Sequence, residues 1–336
     1  MPEDGQTTPS APYLPYDPSP DASFNFNTIE IWEKEPLEAL YHYTSAMGAL
    51  GILSSNSLRA TSVAMLNDTG EFSHGAAFIA SRWEQVKDDP AFNGWQDAMS
   101  EFLLYIAQTT VSVGNYYVCC ASTEKNSLSQ FQLYGSYVLH LDAAPFLRPR
   151  RVAEESQIKH TNRSEVSDLA AREQLFHWRR VRYSQRDQTH LADITIHRIY
   201  NVLEMFKGSA DAEVDFASLQ PTPLSMARDA YAEGACFMKH ESFKDENEAR
   251  YVVELEITDP AVHIRDGRYG LTPYVELVAD CDANDANHKP TAMLTGAGLG
   301  PGNQVNDRRA ARFGLKAVIT RSDLDFEVED VDYPLR

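Results

Sequence analysis

The chain has 336 residues, 43% of them hydrophobic, and sets 30 Lys and Arg against 49 Asp and Glu, for a formal net charge of −19. That length serves one large or two ordinary domains with a real core, and no uninterrupted apolar run approaches the roughly 18–20 residues that span a bilayer. The acidic balance opposes stable duplex DNA binding, which needs a basic surface to meet phosphates.

A small molecule, a protein or a transient nucleic-acid substrate stays open. Local basic patches stand at Arg148, Arg150 and Arg151, and at Arg179, Arg180 and Arg182. Among four cysteines, Cys119 and Cys120 are adjacent while Cys236 and Cys281 stand alone. No C-x-x-C pair points to zinc or to a disulfide framework. No basic residue precedes Lys34 and no apolar leader accompanies the N-terminus, so a cytoplasmic protein is expected, with no secretory signal.

Residues 1–27 are rich in proline, serine, threonine and aspartate and read as a disordered tail. Residues 28–336 read as a single α+β domain with a helical insertion over about 171–240. Leu40-Tyr41-His42-Tyr43 predicts a short strand, Thr44-Ser45 a helix cap, and Ala46 to about Ser54 a helix. Ser57 to Thr61 predicts a second strand. Asp68 and Glu71 have the spacing of a capping box before a helix bearing Phe72, Ala76, Ile79, Ala80 and Trp83 on one face. A further helix is expected over Phe92 to Ala107. Asn115 to Ser122 is β-branched and aromatic enough for a central strand, followed by a short helix Leu128 to Tyr134 and a strand Tyr137 to Asp142.

In the insertion, His177 and Trp178 and then Ile196, Ile199, Leu203 and Phe206 recur at helical spacing. Ser209 to Thr222 predicts a loop and Met226 to His240 a helix. Tyr251 to Ile257 alternates like a half-buried strand. Strands are expected at Val262 to Arg265 and Thr272 to Val278, with Gly267 and Gly270 turning between them. Pro290 to Gly302 predicts a loop, Arg308 to Phe313 a helix and Lys316 to Thr320 a last strand. Short strands interleaved with helices predict an α+β fold with a mixed, mainly antiparallel sheet and flanking helices.

The chemistry concentrates at Ser242 to Arg250. Glu246 and Glu248 are two apart, so a strand reaching back that far turns both carboxylates to one side. Such a pair repels, and one pKa rises unless a cation such as Arg250 intervenes. His42 stands between two tyrosines at the end of a strand and before a helix N-terminus, where anionic groups bind. Ser122, Ser127, Gln130 and Tyr134 follow the central strand. The chain has no G-x-G-x-x-G, P-loop, G-x-S-x-G or H-E-x-x-H, and the glycines from Gly296 to Gly302 read as a structural turn.

In order, Leu40 to Thr44, Leu66-Asn67-Asp68 with Glu71, Val118 to Ser122, Leu128 to Phe131 with Tyr134, Phe243 with Glu246, Glu248 and Arg250, Pro273 to Glu276, Gly300-Pro301, Arg321-Ser322 and Tyr333 to Arg336 resemble the bacterial family catalogued as domain of unknown function 2971. Phe131 and Ala249 depart from it where tryptophan is more usual. More distantly, this order of motifs resembles the ADP-ribosyltransferase superfamily, which implies an ADP-ribosyltransferase-like fold and NAD as a consumed substrate. The resemblance implies that His42, with Tyr43, Thr44, Ser122 and Arg250, holds the dinucleotide, and that Tyr134 or Tyr117 stacks on nicotinamide. It implies Glu248 on the ribose as a catalytic carboxylate, with Glu246 orienting or deprotonating an acceptor. The acceptor is a protein or nucleic acid, the implied role that of a toxin or phage-defence effector, and a homo-oligomer stays open.

Two other readings compete. One is a non-catalytic sensor or interaction module in which Arg250 clamps the carboxylates as a buried ion-pair network. The other is a metal-dependent hydrolase or nuclease using Asp68, Glu71, Glu246 and Glu248 as ligands.

Overall fold

The expected central strand lies at the middle of the architecture. The computed structural model describes residues 37–66, 70–113, 116–150, 177–207, 221–267, 270–279, 293–301 and 305–330. The N-terminal tail, Asn67, Asp68, the 209–220 stretch, Cys281 and residues 331–336 lie outside the described residues. Within them, β3 (Tyr116–Ser122) is buried on both faces. Tyr117, Cys119 and Ala121 enter one core while Tyr116 and Val118 enter the other, as the alternation of side chains along a strand requires.

In chain order the elements are β1 (Ala39–Thr44), α1 (Ala46–Ser55), β2 (Leu58–Ser62), α2 (Gly70–Val86), α3 (Gln96–Val113), β3, α4 (Leu128–Tyr134), β4 (Tyr137–Asp142), β5 (Leu147–Pro149) and β6 (Arg179–Arg180). They continue with α5 (Gln185–Lys207), α6 (Pro221–Cys236), β7 (Glu248–Glu254), β8 (Val262–Gly267), β9 (Gly270–Ala279), β10 (Leu294–Leu299), α7 (Val305–Arg321) and β11 (Val328–Asp330). Among the described residues the strands form one 11-stranded sheet along the path β11-β10-β4-β1-β3-β2-β9-β5, with β7 bridging β3 to β6 and β8 paired to β9. Among the described residues the β10–β11 ladder is parallel and every other ladder between these strands is antiparallel. The fold is α+β with a mixed, mainly antiparallel sheet.

Helices α2, α3, α5 and α6 cover one face, where Ile79, Phe102, Ile199 and Tyr231 pack on Tyr116 and Val118. On the other, Leu53 of α1 and Leu315 and Ile319 of α7 pack on Leu139, Ala297 and Leu299. Each fully buried large apolar side chain contributes roughly 1.5–3 kcal/mol. No helix among the described residues is long and apolar enough to cross a membrane. The approach of α2 to α6 requires a glycine: a Cβ on Gly75 would lie 2.3 Å from the Ala235 carbonyl oxygen. Gly75→Ala is expected to lower stability by about 1–3 kcal/mol through overpacking, checked by urea denaturation.

Several elements differ from expectation. The expected loop Pro290 to Gly302 contains β10, and its glycines serve close packing. A Cβ on Gly296 would lie 2.6 Å from the His140 ring, and one on Gly300 2.3 Å from the Phe131 ring. Lys316 to Thr320 is the end of α7, because Leu315 and Ile319, four apart, face the sheet together; the last strand is β11. Phe92 belongs to a short 3-10 turn capped by Asp89, and α3 begins four residues later. His177 and Trp178 precede the extended pair Arg179–Arg180, which joins the edge of β7. Pro221 and Thr222 open α6 rather than closing a loop.

Candidate functional site

A gap in the sheet creates the site. On one side β3 pairs with β7 along its whole length, from Tyr116↔Glu254 to Ser122↔Glu248. On the other it meets two different strands: β1 at Tyr41↔Ser122, and β2 at Thr61↔Val118 and Ser62↔Tyr117. β1 and β2 therefore diverge, and the edge of β3 over Cys119 to Ala121 has no ladder partner. A backbone carbonyl at such a gap needs a donor, and His42 supplies it, with Nδ1 2.8 Å from the Cys120 oxygen. A carbonyl accepts only, so Nδ1 carries the proton and Nε2 is left as the ring's acceptor. Burial lowers the His42 pKa, against the raising effect of that hydrogen bond, and keeps the ring neutral.

The divergence opens a cleft of about 660 Å³, within the roughly 300–1,000 Å³ of small-molecule sites. It brings together His42, Tyr43, Thr44, Ser122, Tyr134, Glu246 and Glu248, contributed by β1, β3, α4 and the entrance to β7. Met47 and Leu50 on α1 and Tyr134 on α4, 82%, 51% and 42% exposed, give it an apolar wall.

Not all of these side chains face a ligand in the same way. The Tyr43 hydroxyl donates to the Glu124 oxygen at 2.5 Å and accepts from Ser127 N at 3.0 Å, and its ring packs edge-on against Phe131. Tyr43 fixes the loop that starts α4. The Ser122 hydroxyl donates to the Glu246 carbonyl at 2.8 Å and pins the turn that carries that glutamate. Tyr117 points into the opposite core and is fully buried, so Tyr134 alone of the two tyrosines offers a stacking ring to the cleft. Burial pushes its hydroxyl pKa up, reinforced by Cys120, Glu246 and Glu248.

The carboxylate pair is arranged differently from the single-strand picture. The ladder starts at Glu248, while Glu246 ends a 3-10 turn over Glu241–Glu246. Between them Asn247 takes a left-handed conformation, φ 44° and ψ 48°, which asparagine tolerates. The two carboxylates still converge, because the Lys239 ammonium donates to Glu246 Oε2 at 2.7 Å and to Glu248 Oε2 at 3.1 Å. Arg250 lies beneath rather than in the cleft. Its Nε and Nη2 each donate to Glu248 at 2.9 Å, and its Nη1 donates to the Cys236 oxygen at 2.6 Å. A dinucleotide-binding role for Arg250 therefore has no support in its placement.

Burial would raise the Glu248 pKa, but Arg250 and then Lys239 outweigh it and hold the carboxyl at about 2. The Cys120 thiol, itself pushed up by burial, adds another hydrogen bond. A carboxylate has about four lone-pair directions, so Glu248 is saturated. Glu246 is half-buried and stands at the cleft wall.

Sequence reasoning missed Lys239, 4% exposed, and Tyr183, whose hydroxyl accepts from Glu248 N at 3.1 Å. Their partners are set by tertiary packing, and the sequence carries no signal for them. Among the described residues no group of three His, Cys, Asp or Glu is placed to hold a metal ion. No family model, curated protein or solved structure matches the chain.

Proposed function

We propose that the cleft binds NAD and cleaves its nicotinamide–ribose bond, as an ADP-ribosyltransferase-like enzyme or NAD glycohydrolase acting on a protein or nucleic-acid acceptor or on water. The observation that carries this reading is the convergence of His42, Tyr134 and the Glu246/Glu248 pair on one cleft from three separate segments. Neutral His42 presents Nε2 as an acceptor for a ribose hydroxyl, and Tyr134 offers a ring for stacking on a heteroaromatic base.

Loss of nicotinamide develops oxocarbenium character at the ribose, which a fixed carboxylate stabilises electrostatically. The saturation of Glu248 divides the work: Glu248 fixes Lys239 and Arg250, and Glu246 is the carboxylate that meets the ribose. Incubating the full chain with NAD and separating the products by liquid chromatography with mass detection tests this. Nicotinamide and ADP-ribose, free or attached to an acceptor, are expected.

The same saturation favours a second reading, a nucleotide-responsive module without catalysis, in which the carboxylates serve only as a buried ion-pair network. Binding of NAD with no nicotinamide released selects it over the first.

A further inference from the structure

A basic surface inside this acidic chain adjoins the same cleft. Antiparallel register sets Arg59 and Thr61 of β2 opposite Glu276 and Tyr274 of β9, and His263 and Arg265 of β8 opposite Tyr274 and Thr272. The intervening Leu58, Ala60, Val275 and Leu277 are fully buried in the core, so the pleat sends the polar set to the other face. There two guanidiniums flank one ring, Arg59 at 5.0 Å and Arg265 at 5.7 Å from the Tyr274 centroid. Arg265 Nη2 also donates to Thr61 Oγ1 at 3.1 Å. The nearest carboxylate by register, Glu276, accepts from Arg150 at 3.1 Å. Among the described residues neither Arg59 nor Arg265 forms an ion pair, and Arg265 Nε is buried with no hydrogen-bond partner. Arg59, Thr61 and Arg265 all line the cleft.

We propose that Arg59 and Arg265 form a diphosphate-binding subsite of the cleft. A guanidinium stacked on an aromatic face is held in place while its edge keeps the planar fork of N–H donors that matches phosphate oxygens. With a net charge of −19 the chain as a whole repels anions, so phosphate affinity requires a local concentration of positive charge such as this. The subsite gives the cleft two unlike ends, a cationic one on β2 and β8 and a carboxylate one at the entrance to β7. That polarity suits a phosphorylated nucleoside whose sugar lies toward Glu246. The inference stands for any ligand bearing a diphosphate, and where NAD is the substrate it places the dinucleotide's phosphates.

Calorimetric titration of the full chain with inorganic pyrophosphate, ADP and adenosine tests it. ADP and pyrophosphate are expected to bind more weakly as salt rises, and adenosine more weakly than ADP. Arg59→Gln and Arg265→Gln are each expected to weaken ADP and pyrophosphate by about tenfold or more, while Arg186→Gln, at an exposed arginine on α5, leaves them unchanged. Should a glutamine variant fail to fold, Arg59→Lys and Arg265→Lys keep the charge, lose the fork and are expected to bind several-fold more weakly. Equal affinities across wild type and the subsite variants, or no binding of either anion to wild type, overturn the proposal. ADP binding without nicotinamide release overturns only the catalytic reading, and nicotinamide release undiminished in folded Arg59→Gln and Arg265→Gln proteins with unchanged ADP affinity overturns only the subsite.

Discussion

Glu246→Gln protein is expected to release nicotinamide from NAD about 10²–10³-fold more slowly than wild type, the scale on which a preorganised electrostatic contact to a transition state acts. The glutamine keeps the side chain's size and one acceptor for Lys239, which lies 2.7 Å from Glu246 Oε2, but removes the negative charge. Glu246 is half-buried at the end of a turn and outside the β7 ladder, so stability is expected to change by less than about 1 kcal/mol. The decisive comparison is nicotinamide release against thermal melting in the same preparation. A Glu246→Gln protein that turns NAD over at the wild-type rate would remove Glu246 from the mechanism.

Glu248→Ala has the larger effect on the fold. Glu248 is buried and accepts from Arg250 twice and from Lys239 once, and both cations are themselves buried. Removing one partner of a buried ion pair strands the other, at about 3–5 kcal/mol, a large share of a typical domain's stability. Urea denaturation at pH 7 measures this, and a loss below about 1 kcal/mol would show that the network is not under tension.

The same group sets a pH dependence. Its pKa is depressed from 4.5 unfolded to about 2 in the native state. Its contribution is therefore complete above about pH 4.5, falls as pH drops from 4.5 toward 2, and is absent below that. The gap in unfolding free energy between wild type and Glu248→Gln is expected to shrink across that window. A constant gap down to pH 2.5 contradicts the ion-pair account.

These two predictions separate roles that adjacency in sequence had merged. Glu246-Asn247-Glu248 looks like one carboxylate pair on one strand face. The left-handed Asn247 turns the chain between them, leaving one glutamate in a buried clamp and the other at a cleft wall.

Much of the architecture is local and therefore legible in the residues. β-branched and aromatic alternation marks β3 and β7, Ser45 before Ala46 marks the start of α1, and Phe72, Ile79 and Trp83 mark the buried face of α2. Local propensity fails where a distant neighbour decides. Val318-Ile319-Thr320 has strand composition, yet Leu315 and Ile319 bury together as a helix face against the sheet. The glycines of β10 resemble a turn, yet His140 on β4 and Phe131 on α4 leave no room for a Cβ at Gly296 and Gly300.

By itself the sequence determined the acidic, mixed α+β character and singled out His42, Tyr134, Glu246 and Glu248. Tertiary structure alone decided that β1 and β2 part along β3 to open a cleft, that Lys239 joins the two glutamates while Arg250 withdraws beneath them, and that Arg59 and Arg265 meet across Tyr274. Strand register and helix docking set these relations between segments as far apart in sequence as Thr61 and Arg265, which differ by 204 positions. A pairwise contact at that separation leaves no periodicity in the chain, because its energy depends on shape and charge brought together only after the sheet has formed.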